Sequence, residues 1–77
     1  MSEKLLSVES DPAREVVEIH LDRKGLDYLI DALNTLRNES APEHIHLMCP
    51  EWGGDALSET PQNPEFAAAK HVKLCLW

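Results

Sequence analysis

The stretch Glu15 to Arg37, EVVEIHLDRKGLDYLIDALNTLR, changes its apolar period halfway along, and that change decides the fold. From Glu15 to Leu21 the residues alternate, with Val17, Ile19 and Leu21 on one face and Val16, Glu18 and His20 on the other. Period two with β-branched residues predicts a half-buried strand. After Asp22 the spacing switches, and Leu26, Leu29, Ile30, Leu33 and Leu36 fall on one face of a helix running from about Arg23 to Arg37. Asp22 suits the N-cap, because a carboxylate there can accept hydrogen bonds from the first turn's free amides. Arg37 meets the negative end of the helix dipole, and Asn38 with Ser40-Ala41-Pro42 ends the helix. Asp27, Asp31, Asn34 and Thr35 form its solvated face.

Outward from this stretch, the alternation returns. In Glu43 to Cys49, EHIHLMC, it sets Ile45, Leu47 and Cys49 inward and His44, His46 and Met48 outward, until Pro50 closes the strand. In Lys70 to Trp77, KHVKLCLW, it sets Val72, Leu74 and Leu76 inward and His71, Lys73, Cys75 and Trp77 outward. Leu5 to Glu9, LLSVE, is a short strand stopped by the turn formers Ser10-Asp11-Pro12. Glu51 to Glu65, EWGGDALSETPQNPE, is a long loop rich in Gly, Pro and polar residues. The order β-β-α-β-β predicts an α+β domain, a two-layer sandwich whose single helix packs on one face of a three- to four-stranded mixed sheet. A right-handed crossover through the helix would leave the second and third strands parallel, with the first and fourth antiparallel outside them. With 77 residues, the chain is a single small domain spanning 1–77.

The charge balance narrows the partners. Seven Lys and Arg against 14 Asp and Glu leave a formal charge of −7, which argues against a nucleic-acid backbone binder, since that needs a basic stripe. The acidity is local: residues 41 to 65 hold Glu43, Glu51, Asp55, Glu59 and Glu65 with no Lys or Arg. Met1-Ser2-Glu3-Lys4 begins no apolar leader, and no run approaches the roughly 18 apolar residues that span a bilayer. The expectation is a cytoplasmic protein without membrane contact, with Cys49 and Cys75 reduced.

With one helix to cover one sheet face, the other face should meet solvent or a partner. It carries all four histidines, His20, His44, His46 and His71, with Glu18, Met48, Lys73, Cys75 and Trp77. His44-x-His46 puts two imidazoles on one side of a strand, and a third from a neighbouring strand could complete a zinc or copper site. The plainer alternative is the polar half of an open sheet. Trp77 with Cys75 and Met48 adds apolar area to that face, as a partner surface or a homodimer interface would. In the acidic loop, Trp52 precedes Gly53-Gly54 and Asp55. It is expected to plug the edge of the core, with projection as an anchor for a basic partner the alternative. Gly53-Gly54 lacks the following Lys and Ser or Thr of a phosphate cradle. No nucleophile elbow, zinc-protease motif or dinucleotide turn is present, so neither an enzyme nor a cofactor is expected.

The run His44 to Ser58, HIHLMCPEWGGDALS, together with the Asp22-Arg23-Lys24-Gly25-Leu26 helix start and the closing His71-Val72-Lys73-Leu74 strand ending at Trp77, resembles the immunity protein 32 family of bacterial polymorphic toxin systems. The resemblance covers most of the chain from Val16 onward; Cys49 departs from it, standing where Thr or another small residue is expected. It implies a non-enzymatic protein that binds and neutralises a cognate protein toxin, for which a nuclease with a basic cleft is one candidate. The family has no catalytic residues to carry over. The partner-binding surface it suggests is His44, His46, Glu51, Trp52, Gly53, Gly54 and Asp55, to which the sheet-face argument adds Trp77.

Overall fold

The computed structural model describes residues 4–77; Met1-Ser2-Glu3, part of the stretch read as beginning no leader, lie outside the described residues. The elements run β1 (Leu6–Ser10), β2 (Val17–Leu21), α1 (Arg23–Arg37), β3 (Glu43–Met48), a 3-10 turn (Pro50–Trp52), β4 (Ala67–Ala68) and β5 (His71–Leu76). The α+β class holds, with one helix between two pairs of main strands. The single mixed sheet does not. The strands divide into two antiparallel sheets, one ordered β2-β1-β4 and the other β3-β5, and the parallel pairing of β2 with β3 is not formed.

The second sheet meets the first through the core and not edge to edge: Leu47 of β3 shares one buried cluster with Leu6 of β1, and β2 is left without a parallel partner. The β1–β2 hairpin is set by Asp11, whose carboxylate accepts the amides of Glu15 at 2.8 Å and Val16 at 3.0 Å, while Arg14 takes a left-handed turn with φ 61°. A hairpin closes a short loop and pairs antiparallel, both of which favour it. Leu6 pairs with Leu21, Val8 with Ile19 and Ser10 with Val17. In the second sheet Leu47 pairs with Val72, Ile45 with Leu74, and Glu43 with Leu76.

The helix starts where the sequence places it. The Asp22 carboxylate accepts the Gly25 amide at 2.7 Å, which holds its pKa below the ordinary aspartate value. Gly25 is buried against the Leu5 carbonyl, where a Cβ would collide. Leu6, Leu47, Cys49, Ala56 and Leu57 form the buried core, with Val8, Leu21, Tyr28, Leu29, Ala32, Val72 and Leu74 packed against it. The helix covers less of the first sheet than its leucine stripe implies: Val17 and Ile19, read as inward residues, are 63% and 54% exposed. Ile30 and Leu33 of α1 are exposed as well.

The strand least marked in the sequence, Leu5 to Glu9, is the central strand of its sheet. The segment after the 3-10 turn is laid along it: the Ser58 amide donates to the Leu6 carbonyl at 2.8 Å and the Ala69 amide to the Val8 carbonyl at 2.7 Å. Glu9 fastens the middle. Its side chain is 0% exposed, and its carboxylate accepts the Ser7 hydroxyl at 2.6 Å and the amides of Gln62 at 2.6 Å and Asn63 at 3.0 Å. Burial alone would raise the Glu9 pKa, but these donors, with His20 nearby, outweigh it and hold the carboxyl below the ordinary glutamate value.

Candidate functional site

Strand alternation predicts that His44, His46 and His71 share a face, and the β3–β5 register brings them together. Met48 stands opposite His71, His46 opposite Lys73, and His44 opposite Cys75. The His44 and His46 ring centroids are 4.9 Å apart and nearly perpendicular; those of His46 and His71 are also 4.9 Å apart. His46 Nδ1 and His71 Nε2 share a hydrogen bond of 2.7 Å, so one ring donates and the other must present a lone pair. Desolvation, then the neighbouring His71, His44 and Lys73, lower the His46 pKa, favouring its neutral form.

Trp52 extends this row. Its ring centroid lies 5.9 Å from that of His71 and the residue is 56% exposed, so it projects beside the imidazoles and does not plug the core. The turn that carries it explains both glycines. Gly53 closes the 3-10 turn at φ 90°, a left-handed angle that strains any other residue, and a Cβ on Gly54 would approach the Met48 carbonyl oxygen to 2.6 Å. The amides of Ala56 and Leu57 then donate to that carbonyl, at 3.0 and 3.2 Å. Gly53 and Gly54 thus shape the loop that presents Trp52. The buried residues beneath are Ala56 and Leu57, whose place in the core had no periodic signal in an irregular loop.

The acidic residues of the loop are partly engaged. Glu51 pairs with Lys70 at 2.7 Å, a contact that raises the Lys70 pKa, and the Glu59 carboxylate accepts the Glu51 amide at 2.6 Å. The Asp55 carbonyl accepts from Lys4, whose ammonium also sits 4.5 Å from the centre of the Tyr28 ring. The Asp55 residue itself is exposed. At the far end of the second sheet Trp77 is 92% exposed, flanking a shallow hollow lined by Pro42, His44, Lys73 and Cys75.

His20 does not join the other three histidines. It lies on the first sheet, 2.9 Å from Glu18 Oε1 and 3.8 Å from Glu9 Oε1. That polar face, expected to be open, is roofed by the loop: Asn63 Nδ2 donates to Glu18 at 3.3 Å and its amide to Glu9. Among the described residues, two groups bring three potential metal-ligand atoms within 4.8 Å, Glu9 with Glu18 and His20, and Cys49 with Glu51 and Glu59. In both, carboxylates already accept hydrogen bonds from the chain. No helix of the described residues is long and apolar enough to cross a membrane.

Residues 16–67 match the family model described as Immunity protein 32. The matched span contains β2, α1, β3 and the Trp52 loop, and ends before His71 and Trp77. No curated protein and no solved structure matches the chain.

Proposed function

The chain belongs to the immunity protein 32 family, and from that membership we propose that it neutralises a cognate toxin without catalysis, by covering it with the open face of β3–β5 and the adjoining Trp52 loop. The observation that carries this reading is the continuous row His44, His46, His71 and Trp52, in which a half-exposed tryptophan stands beside exposed imidazoles on a sheet face that no other element of the described residues covers. A tryptophan held by a rigid turn supplies large contact area at little entropic cost, and such residues dominate interface energetics. The imidazoles, donors or acceptors as the partner demands, give the surrounding surface its hydrogen-bonding specificity.

The acidic segment supports a second reading, in which Asp55, Glu59 and Glu65, all exposed, meet a basic toxin such as a nuclease. Glu51 contributes less to it, since Lys70 already neutralises that charge. Both readings place the protein in the compartment where the toxin is made, the cytoplasm of a cell carrying a polymorphic toxin system.

The test is binding to the toxin encoded beside this chain, by calorimetry and by rescue on co-expression. Trp52→Ala should leave folding intact and weaken binding about thirtyfold, the loss typical of an interface anchor. His46→Ala should weaken it less. Loss of affinity confined to Asp55→Asn and Glu65→Gln, with steep salt dependence, would shift the site to the acidic loop. Full affinity in all four variants would remove both surfaces.

A further inference from the structure

The edge of β2 is a second candidate surface. β2 is the outer strand of its sheet, and its apolar residues Val17 and Ile19 are more than half exposed. Sheet edges are ordinarily blunted by Lys, Pro or a bulge, and the strand Val17-Glu18-Ile19-His20-Leu21 carries none of these. The backbone groups pointing outward can be identified. The Asp22 amide donates to the Leu5 carbonyl and the Asp11 amide to the Val16 carbonyl, so Asp22 and Val16 face β1. Antiparallel alternation turns Glu18 and His20 the same way and leaves the N–H and C=O of Val17, Ile19 and Leu21 facing away from β1.

We propose that a second copy of this chain occupies that edge, β2 against β2, antiparallel about a twofold axis at Ile19. This inference is independent of the toxin-binding reading, which concerns the other sheet. In that register Ile19 pairs with itself and Val17 with Leu21 of the second copy, so the outward-facing amides and carbonyls meet one another as hydrogen-bonded pairs. Glu18 of each chain then stands opposite His20 of the other. The twofold repeats the contact, and an alternating arrangement of carboxylates and imidazoles results, with no like charges opposed within the strand. A one-residue slip would instead set Val17 or Ile19 against Glu18 or His20, so the pattern selects one register.

Sedimentation equilibrium and amide exchange on the intact protein test this together. The expected result is a species of twice the 8.7 kDa chain mass at high concentration. The Val17, Ile19 and Leu21 amides should exchange at least about tenfold more slowly there than in dilute solution. Ile19→Lys, which opposes two ammonium groups across the axis, should give a monomer with an unchanged circular dichroism spectrum. In a Cys75→Ser background, Ile19→Cys should form a disulfide-linked dimer on oxidation, since the paired Cα atoms would lie about 5.5 Å apart. A monomer at every concentration would overturn the proposal. So would a dimer abolished by Trp77→Ala but not by Ile19→Lys, or protection of these amides only when toxin is added.

Discussion

Glu9 shows how one side chain can organise a small fold. A carboxylate with no exposure in a chain of net charge −7 survives only because every contact compensates it: one hydroxyl, two amides and a nearby imidazole. Glu9→Gln keeps the shape but turns an NH2 group toward an amide donor. The expected loss is about 2–3 kcal/mol in urea denaturation, with earlier exchange of the Gln62 and Asn63 amides. In the sequence, Glu9 reads as one polar position of a short strand, and nothing local distinguishes it from Glu18. The two glycines are more legible. Consecutive glycines announce unusual backbone angles, and the structure separates their duties: Gly53 takes the left-handed angle and Gly54 permits close approach to Met48. Gly53→Ala should lower stability by about 1–2 kcal/mol, measured by thermal melting, and misplace Trp52. Trp52 itself is where expectation and structure part. A tryptophan is usually buried, but here the core edge is filled by Ala56 and Leu57, whose amides are tied to Met48, and the indole is left outside.

At the scale of elements, α1 is the part best read in advance. Its observed limits, Arg23–Arg37, and its Asp22 cap match the expected ones, because capping and 3.6-residue periodicity act within one turn of backbone. Asp22→Ala should destabilise the protein by about 1 kcal/mol, seen as a lower urea midpoint with an unchanged slope. How much of the helix is covered was not legible. Ile30 and Leu33 belong to its apolar stripe yet are exposed, as are Val17 and Ile19 of β2, so these parts of the two apolar surfaces do not cover each other. β4 escaped reading altogether: two alanines carry little strand signal, and they pair with Glu9 and Ser10 because the preceding loop delivers them there.

For the whole molecule, pH provides a test that joins the two sheets. His46 in the folded chain has a lowered pKa, so the unfolded chain binds that proton more readily. Stability should therefore fall as pH drops through the free imidazole value of about 6.5, and this contribution should level off below the folded value. Glu9 also has a lowered pKa; its contribution is present above the free glutamate value of about 4.3 and is lost as pH falls through the folded one. Urea midpoints against pH should show both declines, with Glu9→Gln flattening the lower one and His46→Asn the upper. By itself the sequence determined the order of the main elements, the limits and cap of α1, the imidazoles that share a face of β3–β5, and a family resemblance that the match over residues 16–67 bears out. These follow from period and capping, which backbone geometry imposes whatever the partner. Only the tertiary structure decided that the strands form two sheets, that β1 is central, that His20 lies under a roof and that Trp52 projects. Each of these depends on contacts between distant segments: Gln62 reaches Glu9 across 53 positions, and no local pattern records which face such a loop will cover.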